Sequence, residues 1–259
     1  MNYMLLVCND GIEASEAEET LVAETITEHI ARTADVALYG HPLQAPATAV
    51  TVRVRDGETL VTDGPFAEAK EHIAGFELLD CDTRERAIEA AASHPLAWFH
   101  KVEVRPVTED DEWSSQVRER LAQEASAGTE RYMLLICSDG TPTESKREAM
   151  ERELPEWVER MTASGTRVVG GLLAERDDAA TVRVRGPHTL VSDGPSVDAD
   201  EFIAGFNVIE CADLDEAVAV AAAHPVSRFH SIEVRPFTAA MCGEPSEPAE
   251  SVVAGQASA

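Results

Sequence analysis

The stretch VTDGPFAEAKEHIAGFELLDC runs from Val61 to Cys81, and VSDGPSVDADEFIAGFNVIEC runs from Val191 to Cys211. Both keep Asp-Gly-Pro and Ile-Ala-Gly-Phe at one spacing and rewrite the residues between them, so the chain carries a single unit twice. Outward from this stretch the matches continue. Tyr3-Met-Leu-Leu-Val returns as Tyr132-Met-Leu-Leu-Ile at an offset of 129 residues. Thr51-Val-Arg-Val-Arg55, His94-Pro95 and Glu103-Val-Arg-Pro106 return at an offset of 130, which implies one residue inserted early in the second copy. That period is too long for a solenoid repeat and suits two whole domains.

Within a copy the periodicity changes in an orderly way. Tyr3 to Cys8 is apolar on both faces and reads as a central strand, Glu16 to Arg32 has helical character, and Val36 to Gly40 reads as a strand. Thr51 to Arg55 alternates strictly, Asp56-Gly57 is a hairpin turn, and Glu58 to Thr62 returns as its partner. Ile73 to Asp80 is a further strand, Thr83 to Ser93 a helix with a threonine cap, and Lys101 to Val107 a last strand. The order β-α-β-β-β-α-β is an α+β, ferredoxin-like split βαβ unit with an extra hairpin. Two such units in tandem, 1–107 and 132–237, are expected to pack sheet to sheet as an intramolecular dimeric α+β barrel in a monomeric chain. Residues 108–131 place Trp113, Val117 and Leu121 four apart and predict a helical linker, while the Ala/Pro/Glu/Ser-rich 238–259 predicts a disordered tail.

Composition narrows the partners. With 48 acidic against 21 basic side chains and a formal net charge of −27, the chain repels phosphate backbones and anionic lipid surfaces, so neither nucleic acid nor membrane is an expected partner. No apolar run reaches membrane-spanning length and no signal-peptide pattern opens the chain, which predicts a cytoplasmic protein. Cys8, Cys81, Cys137 and Cys211 sit in or beside apolar runs without C-x-x-C spacing and read as buried thiols. Histidines and cysteines never group at ligand spacing, and no Gly-rich phosphate loop is present, so neither metal nor cofactor is expected.

Asp63-Gly-Pro-Phe66 followed by Glu68, Lys70-Glu71, Ile73-Ala-Gly-Phe76 and Val102-Glu-Val-Arg-Pro106 resembles the YCII-related family, specifically its DGPF branch, over about residues 3–107 and again over 132–237. The resemblance implies a ferredoxin-like domain that pairs with a second copy as a dimeric α+β barrel. It also implies chemistry: related members are proposed to use a His-Asp pair, and one resembling branch is linked to dechlorinating lyase chemistry on aromatic ring-cleavage intermediates. At the 130-residue offset Glu159 stands opposite His29, so the helix-one histidine of such a pair is not carried over to His29.

The candidate site residues come from the strands and the motif. Arg53 and Arg55 alternate with Val52 and Val54, and Glu103 and Arg105 with Val102 and Val104, so each set shares one strand face. Facing an inter-repeat cleft, Arg53, Arg55 and Arg105 suit a small carboxylate or enolate through the guanidinium fork; facing water or one another, they are a polar sheet face or structural ion pairs. Asp63, at a strand end, reads as a general base or as a turn residue bonding nearby amides. His41, which the second copy replaces with Gly171, is an acid-base candidate. Phe66, Glu68 and Lys70 belong to the first copy alone and mark it as the substrate-binding half, while His94, His100, His224 and His230 read as capping or core histidines. Two functions fit: a lyase or isomerase acting on a small anionic or aromatic-derived substrate, and a non-catalytic ligand-binding or regulatory accessory protein.

Overall fold

A computed structural model describes residues 1–9, 15–66, 72–110, 112–138, 140, 143–196 and 202–239. Glu68, Lys70 and the tail from 240 onward lie outside the described residues. The first strand, β1 (Asn2–Asn9), is buried along nearly its whole length, as its unbroken apolar run requires of a central strand. Helix α1 (Glu16–Thr33) starts at a capping box in which the Glu18 N–H donates to Ser15 Oγ at 3.3 Å and the Ser15 N–H donates to Glu18 Oε2 at 2.7 Å. Strands β2 (Ala37–Pro42), β3 (Val50–Arg55), β4 (Glu58–Asp63) and β5 (His72–Asp80) follow, then α2 (Arg84–Ser93) and β6 (Lys101–Val107). After α3 (Trp113–Leu121) the order repeats as β7 (Glu130–Ser138), α4 (Glu144–Ala163), β8 (Arg167–Leu172), β9 (Ala180–Arg185), β10 (His188–Asp193), β11 (Phe202–Cys211), α5 (Leu214–Ala223) and β12 (Ser231–Pro236).

The strands form two six-stranded sheets, ordered β10-β9-β6-β1-β5-β2 and β4-β3-β12-β7-β11-β8. Each hairpin has therefore left its own half: β9 pairs with β6 in the register Val102↔Val182, and β3 pairs with β12 in the register Val52↔Ile232. The two ferredoxin-like units close an α+β barrel by exchanging hairpins, and neither sheet is complete without residues from both halves.

The period of two along each strand sorts the side chains into layers. On the inner faces Met4, Leu6, Phe76 and Leu78 meet Met133, Leu135, Phe206 and Val208 in one apolar core. On the outer faces α2 lays Ala87, Ala90 and Ala91 on Val102, Val104 and the exchanged Val182, and α5 lays Ala217 and Ala221 on Val52, Ile232 and Val234. Helix α3 crosses between the halves and buries Trp113, Val117 and Leu121 in the inner core, with the Trp113 indole N–H donating to Gly170 O at 2.9 Å. The space between the sheets is thus filled by side chains. Among the described residues, no helix is long and apolar enough to cross a membrane.

Candidate active site

A cavity of about 270 Å³ lies between α1 and the β2/β5 edge of the first sheet, on its helix-covered face instead of between the sheets. Val22, Ile26 and Ile30 of α1, Leu38 and Tyr39 of β2, and Phe76 give it a mainly apolar wall. His41, Glu77 and His94 supply its polar groups. Such a shape, apolar with a few convergent polar groups, is the usual form of a small-molecule site.

Glu77 and His29 meet beside this cavity for simple reasons of periodicity. Phe76 and Leu78 point into the inner core, so Glu77 between them must point to the helix face. His29 lies on the buried side of α1 with Ile26 and Thr33. Its Nε2 is 2.8 Å from Glu77 Oε1 and its Nδ1 is 2.8 Å from Ser93 Oγ at the end of α2. Gly40 keeps the strand beside the carboxylate clear, because a Cβ there would stand 3.0 Å from Glu77 Cγ.

The proton count of this network has two settings. Ser93 Oγ is 2.8 Å from both Ala90 O and His29 Nδ1, and its hydroxyl has one hydrogen. When Ser93 donates to the carbonyl, Nδ1 carries a hydrogen, and the contact from Nε2 to Glu77 then holds a further proton on one partner or the other. When Ser93 donates to Nδ1, Nε2–H donates to an ionised Glu77 and that further proton is gone. Rotation of one hydroxyl accompanies gain or loss of a proton.

His94 completes the cluster, its ring 4.9 Å from that of His29 at an edge-on 69°. Its Nδ1 accepts from the Leu96 N–H at 3.2 Å, so the hydrogen of the neutral ring is on Nε2. The imidazole therefore caps the turn Pro95–Trp98, where the sequence suggested that it caps helix carbonyls. Burial pushes its pKa down to about 4, against the opposing charge of Glu77. Burial alone would raise the Glu77 carboxyl, but the His29 hydrogen bond and the His94 and His29 charges outweigh it and hold it below its ordinary value. Glu77 Oε2 is buried and has no hydrogen-bond partner among the described residues. The ligand atoms of His29, Glu77 and His94 lie within 4.8 Å of one another, a spacing that suits a cation. The wiring does not suit one: with Nδ1 accepting, His94 Nε2 presents a hydrogen and not a lone pair. The donor set fits acid-base work better than metal ligation.

The second half lacks this chemistry. Trp157 packs on His224 with ring centroids 4.3 Å apart at a tilt of 60°, as His29 contacts His94, so Trp157 and not Glu159 is the counterpart of His29. The 130-residue offset fails here because α4 begins 128 residues after α1, and two residues are regained before β8. Asn207 replaces Glu77, and its Oδ1 accepts from Arg167 Nε at 2.7 Å.

Of the described residues singled out from sequence, Arg53 and Phe66 meet, and the others sit at separate places. His41 lines the cavity, stacks on Phe237 at 4.7 Å, and donates from Nδ1 to Pro42 O at 2.8 Å; burial lowers its pKa. Asp63 is exposed at the end of β4, in the other sheet. Arg53 donates to Ser231 Oγ and lies 5.4 Å over the Phe66 ring, while Arg55 Nη1 donates to Arg228 O at 2.9 Å. Arg105 is 1% exposed and bound to Glu103 Oε1 at 2.9 Å, Ala174 O and Ile203 O, which uses its fork for structure. The two repeated motifs form a clasp across the halves. The Phe66 N–H donates to Glu233 Oε2 at 3.0 Å and the Ser196 N–H to Glu103 Oε2 at 2.8 Å, after turns in which Gly64 and Gly194 take φ of 95° and 94°.

Sequence reasoning missed His29, Glu77 and Ser93 and read His94 as structural. The legible signal was Glu77, a carboxylate inside the alternation of a buried strand. The sequence profile of the YCII-related domain matches residues 1–113 and 131–239. An uncharacterised protein of Rhizobium meliloti (strain 1021) is 51% identical over 65 residues, 24% of this chain and 52% of that protein, so the chain spans about half the length of this curated relative. A crystal structure provisionally named a chlorite dismutase superposes with a TM-score of 0.44 at 10% identity, over 93% of this chain and 95% of the other; at that score the likeness carries no argument.

Proposed function

We propose that this chain, which belongs to the YCII-related domain family, is a small-molecule enzyme of the lyase or isomerase kind whose proton-transfer site is His29–Glu77 in the first half. The observation that carries the reading is the pair itself: an imidazole and a carboxylate 2.8 Å apart, tuned by burial and by His94, at the wall of a mainly apolar cavity. The apolar wall favours an aromatic-derived skeleton, and Glu77, which lines the cavity and is paired with His29, is the group assigned to take a proton from the bound molecule. His29 holds the carboxylate and exchanges the proton through Ser93, and His94 presents an N–H group at or near the wall. No cofactor enters this scheme.

The test is a panel of small aromatic-derived and dicarboxylic acids in deuterated buffer, followed by NMR for elimination products or for deuterium at carbon. The wild type is expected to turn over at least one member, with Glu77→Gln and His29→Gln each about 100-fold slower or worse. Full turnover by both folded variants contradicts the reading.

A further inference from the structure

The second half shows what the cavity of the first half is shaped to hold. Ala37 pairs with Leu79 and Gly40 with Glu77, and in the same register Arg167 pairs with Ile209 and Gly170 with Asn207. Arg167 is therefore the counterpart of Ala37, and Gly170 and Asn207 are those of Gly40 and Glu77. Asn207 lies between the inward-facing Phe206 and Val208, so it points to the helix face as Glu77 does. There Arg167 Nε donates to Asn207 Oδ1 at 2.7 Å. The guanidinium rests on the Gly170 backbone, since a Cβ at that position would stand 2.7 Å from Arg167 Nη2. Asn207 is buried in this arrangement. Ala37 is too short to cover its own sheet in the same way, and the Glu77 side chain stays 18% exposed at the wall of the cavity.

A guanidinium is flat, conjugated and edged with hydrogen-bond donors. In the second half such a group fits between a glycine backbone and a side-chain oxygen. In the first half the matching positions, Ala37, Gly40 and Glu77, border the cavity, and the oxygen belongs to a carboxylate, a stronger acceptor than a carboxamide. We propose that the cavity takes a flat conjugated group that rests on Gly40 and carries an O–H or N–H donor toward Glu77, and that Ala37 is the specificity-determining residue that admits it. Under the reading of His29–Glu77 as the proton-transfer site, on which this assignment rests, the donor hydrogen is the proton that Glu77 takes. For an enolic O–H the step balances as an isomerisation: the proton passes to Glu77, the oxygen's electron pair forms C=O, and the C=C pair receives the proton back at carbon.

Phenol, benzamidine and toluene, each titrated into the full chain, test this by equilibrium binding. The Glu77 carboxyl ¹³C and His29 ring ¹⁵N resonances are expected to move saturably with phenol or benzamidine. Toluene, which has the shape of phenol without its donor, should bind about ten-fold more weakly or worse, the usual effect of losing a hydrogen bond to a charged group. Saturation by phenol alone assigns the site to O–H donors, and saturation by benzamidine alone to N–H donors. Ala37→Arg, which copies the second half, should abolish binding in a folded protein; if that variant does not fold, the comparison of the three probes on the wild type decides. Toluene binding as tightly as the better donor, no saturable shift with any probe, or a folded Ala37→Arg variant that binds as the wild type does overturns the proposal. Because binding is read without turnover, donor-selective binding by a chain that converts no substrate would contradict the enzyme reading alone, and turnover without donor selectivity would contradict this assignment alone.

Discussion

Phe66 and Glu233 belong to opposite halves of the chain, yet the Phe66 N–H donates to Glu233 Oε2 at 3.0 Å while Glu233 Oε1 holds Arg235 at 2.8 Å. One carboxylate thus fixes an exchanged hairpin and compensates an arginine that is 1% exposed. The mirrored contact of Ser196 and Arg105 with Glu103 does the same for the other hairpin. Removal of one partner of such a buried pair costs about 3–5 kcal/mol. Glu233→Ala should therefore destabilise by that amount in urea unfolding, whereas Asp63→Asn, at an exposed position, should stay within about 0.5 kcal/mol. A Glu233→Ala variant as stable as the wild type would show that the clasp does not hold the barrel.

Acid should weaken the fold before most carboxylates titrate. His94 and His224 are held by burial at about 4 and about 3, below the unfolded histidine value of about 6.5. Between those limits the unfolded chain binds more protons than the folded one, so stability falls as pH falls, by up to about 1.4 kcal/mol per pH unit for each site. Glu77, displaced downward, adds a loss in the same direction at lower pH. His94→Gln should flatten the stability curve between about pH 6 and 4; an unchanged slope would mean that His94 is not buried neutral.

Exchange of hairpins makes a prediction about fragments. The full chain should run as a monomer by light scattering, since its partner unit is tethered. Residues 1–113 alone leave β6 without β9 and β3 without β12. Unpaired edges of this kind seek another chain, so the fragment should self-associate by exchanging hairpins between two copies. A folded, monomeric fragment would contradict the described topology.

The linker helix should behave as core. Trp113 is 4% exposed and its indole N–H is satisfied by Gly170 O. Trp113→Ala should cost about 3–5 kcal/mol, the range for a large aromatic in a packed interior. A loss below about 1 kcal/mol would place α3 outside the cooperative unit.

Much of this architecture was legible in the residues. Alternation in Thr51–Arg55, the Asp56-Gly57 turn and the apolar run of β1 each settle an element through local geometry. Exchange of the hairpins was not legible, because Val52 and Val182 are equally apolar whichever sheet receives them; the decision rests on register across the halves. The site was hidden for a related reason. His29, Ser93 and Glu77 lie on three elements and meet only when α1 and α2 dock on β5, and the repeat offset drifts within α1, so that Glu159 appeared to stand where Trp157 does. His41 was found because the second copy lacks it, and the arginines of the inner faces drew attention although Arg105 serves packing.

The most direct measurement of the central claim is a set of imidazole and indole ¹⁵N spectra recorded while the panel of aromatic-derived and dicarboxylic acids is titrated into the full chain. If the first half holds the active site, a binding acid shifts the His29, His41 and His94 ring nitrogens saturably and leaves the Trp157 indole unmoved. Saturable shifts confined to Trp157 and His224, with His29 and His94 unchanged, would place the site in the second half and contradict the account.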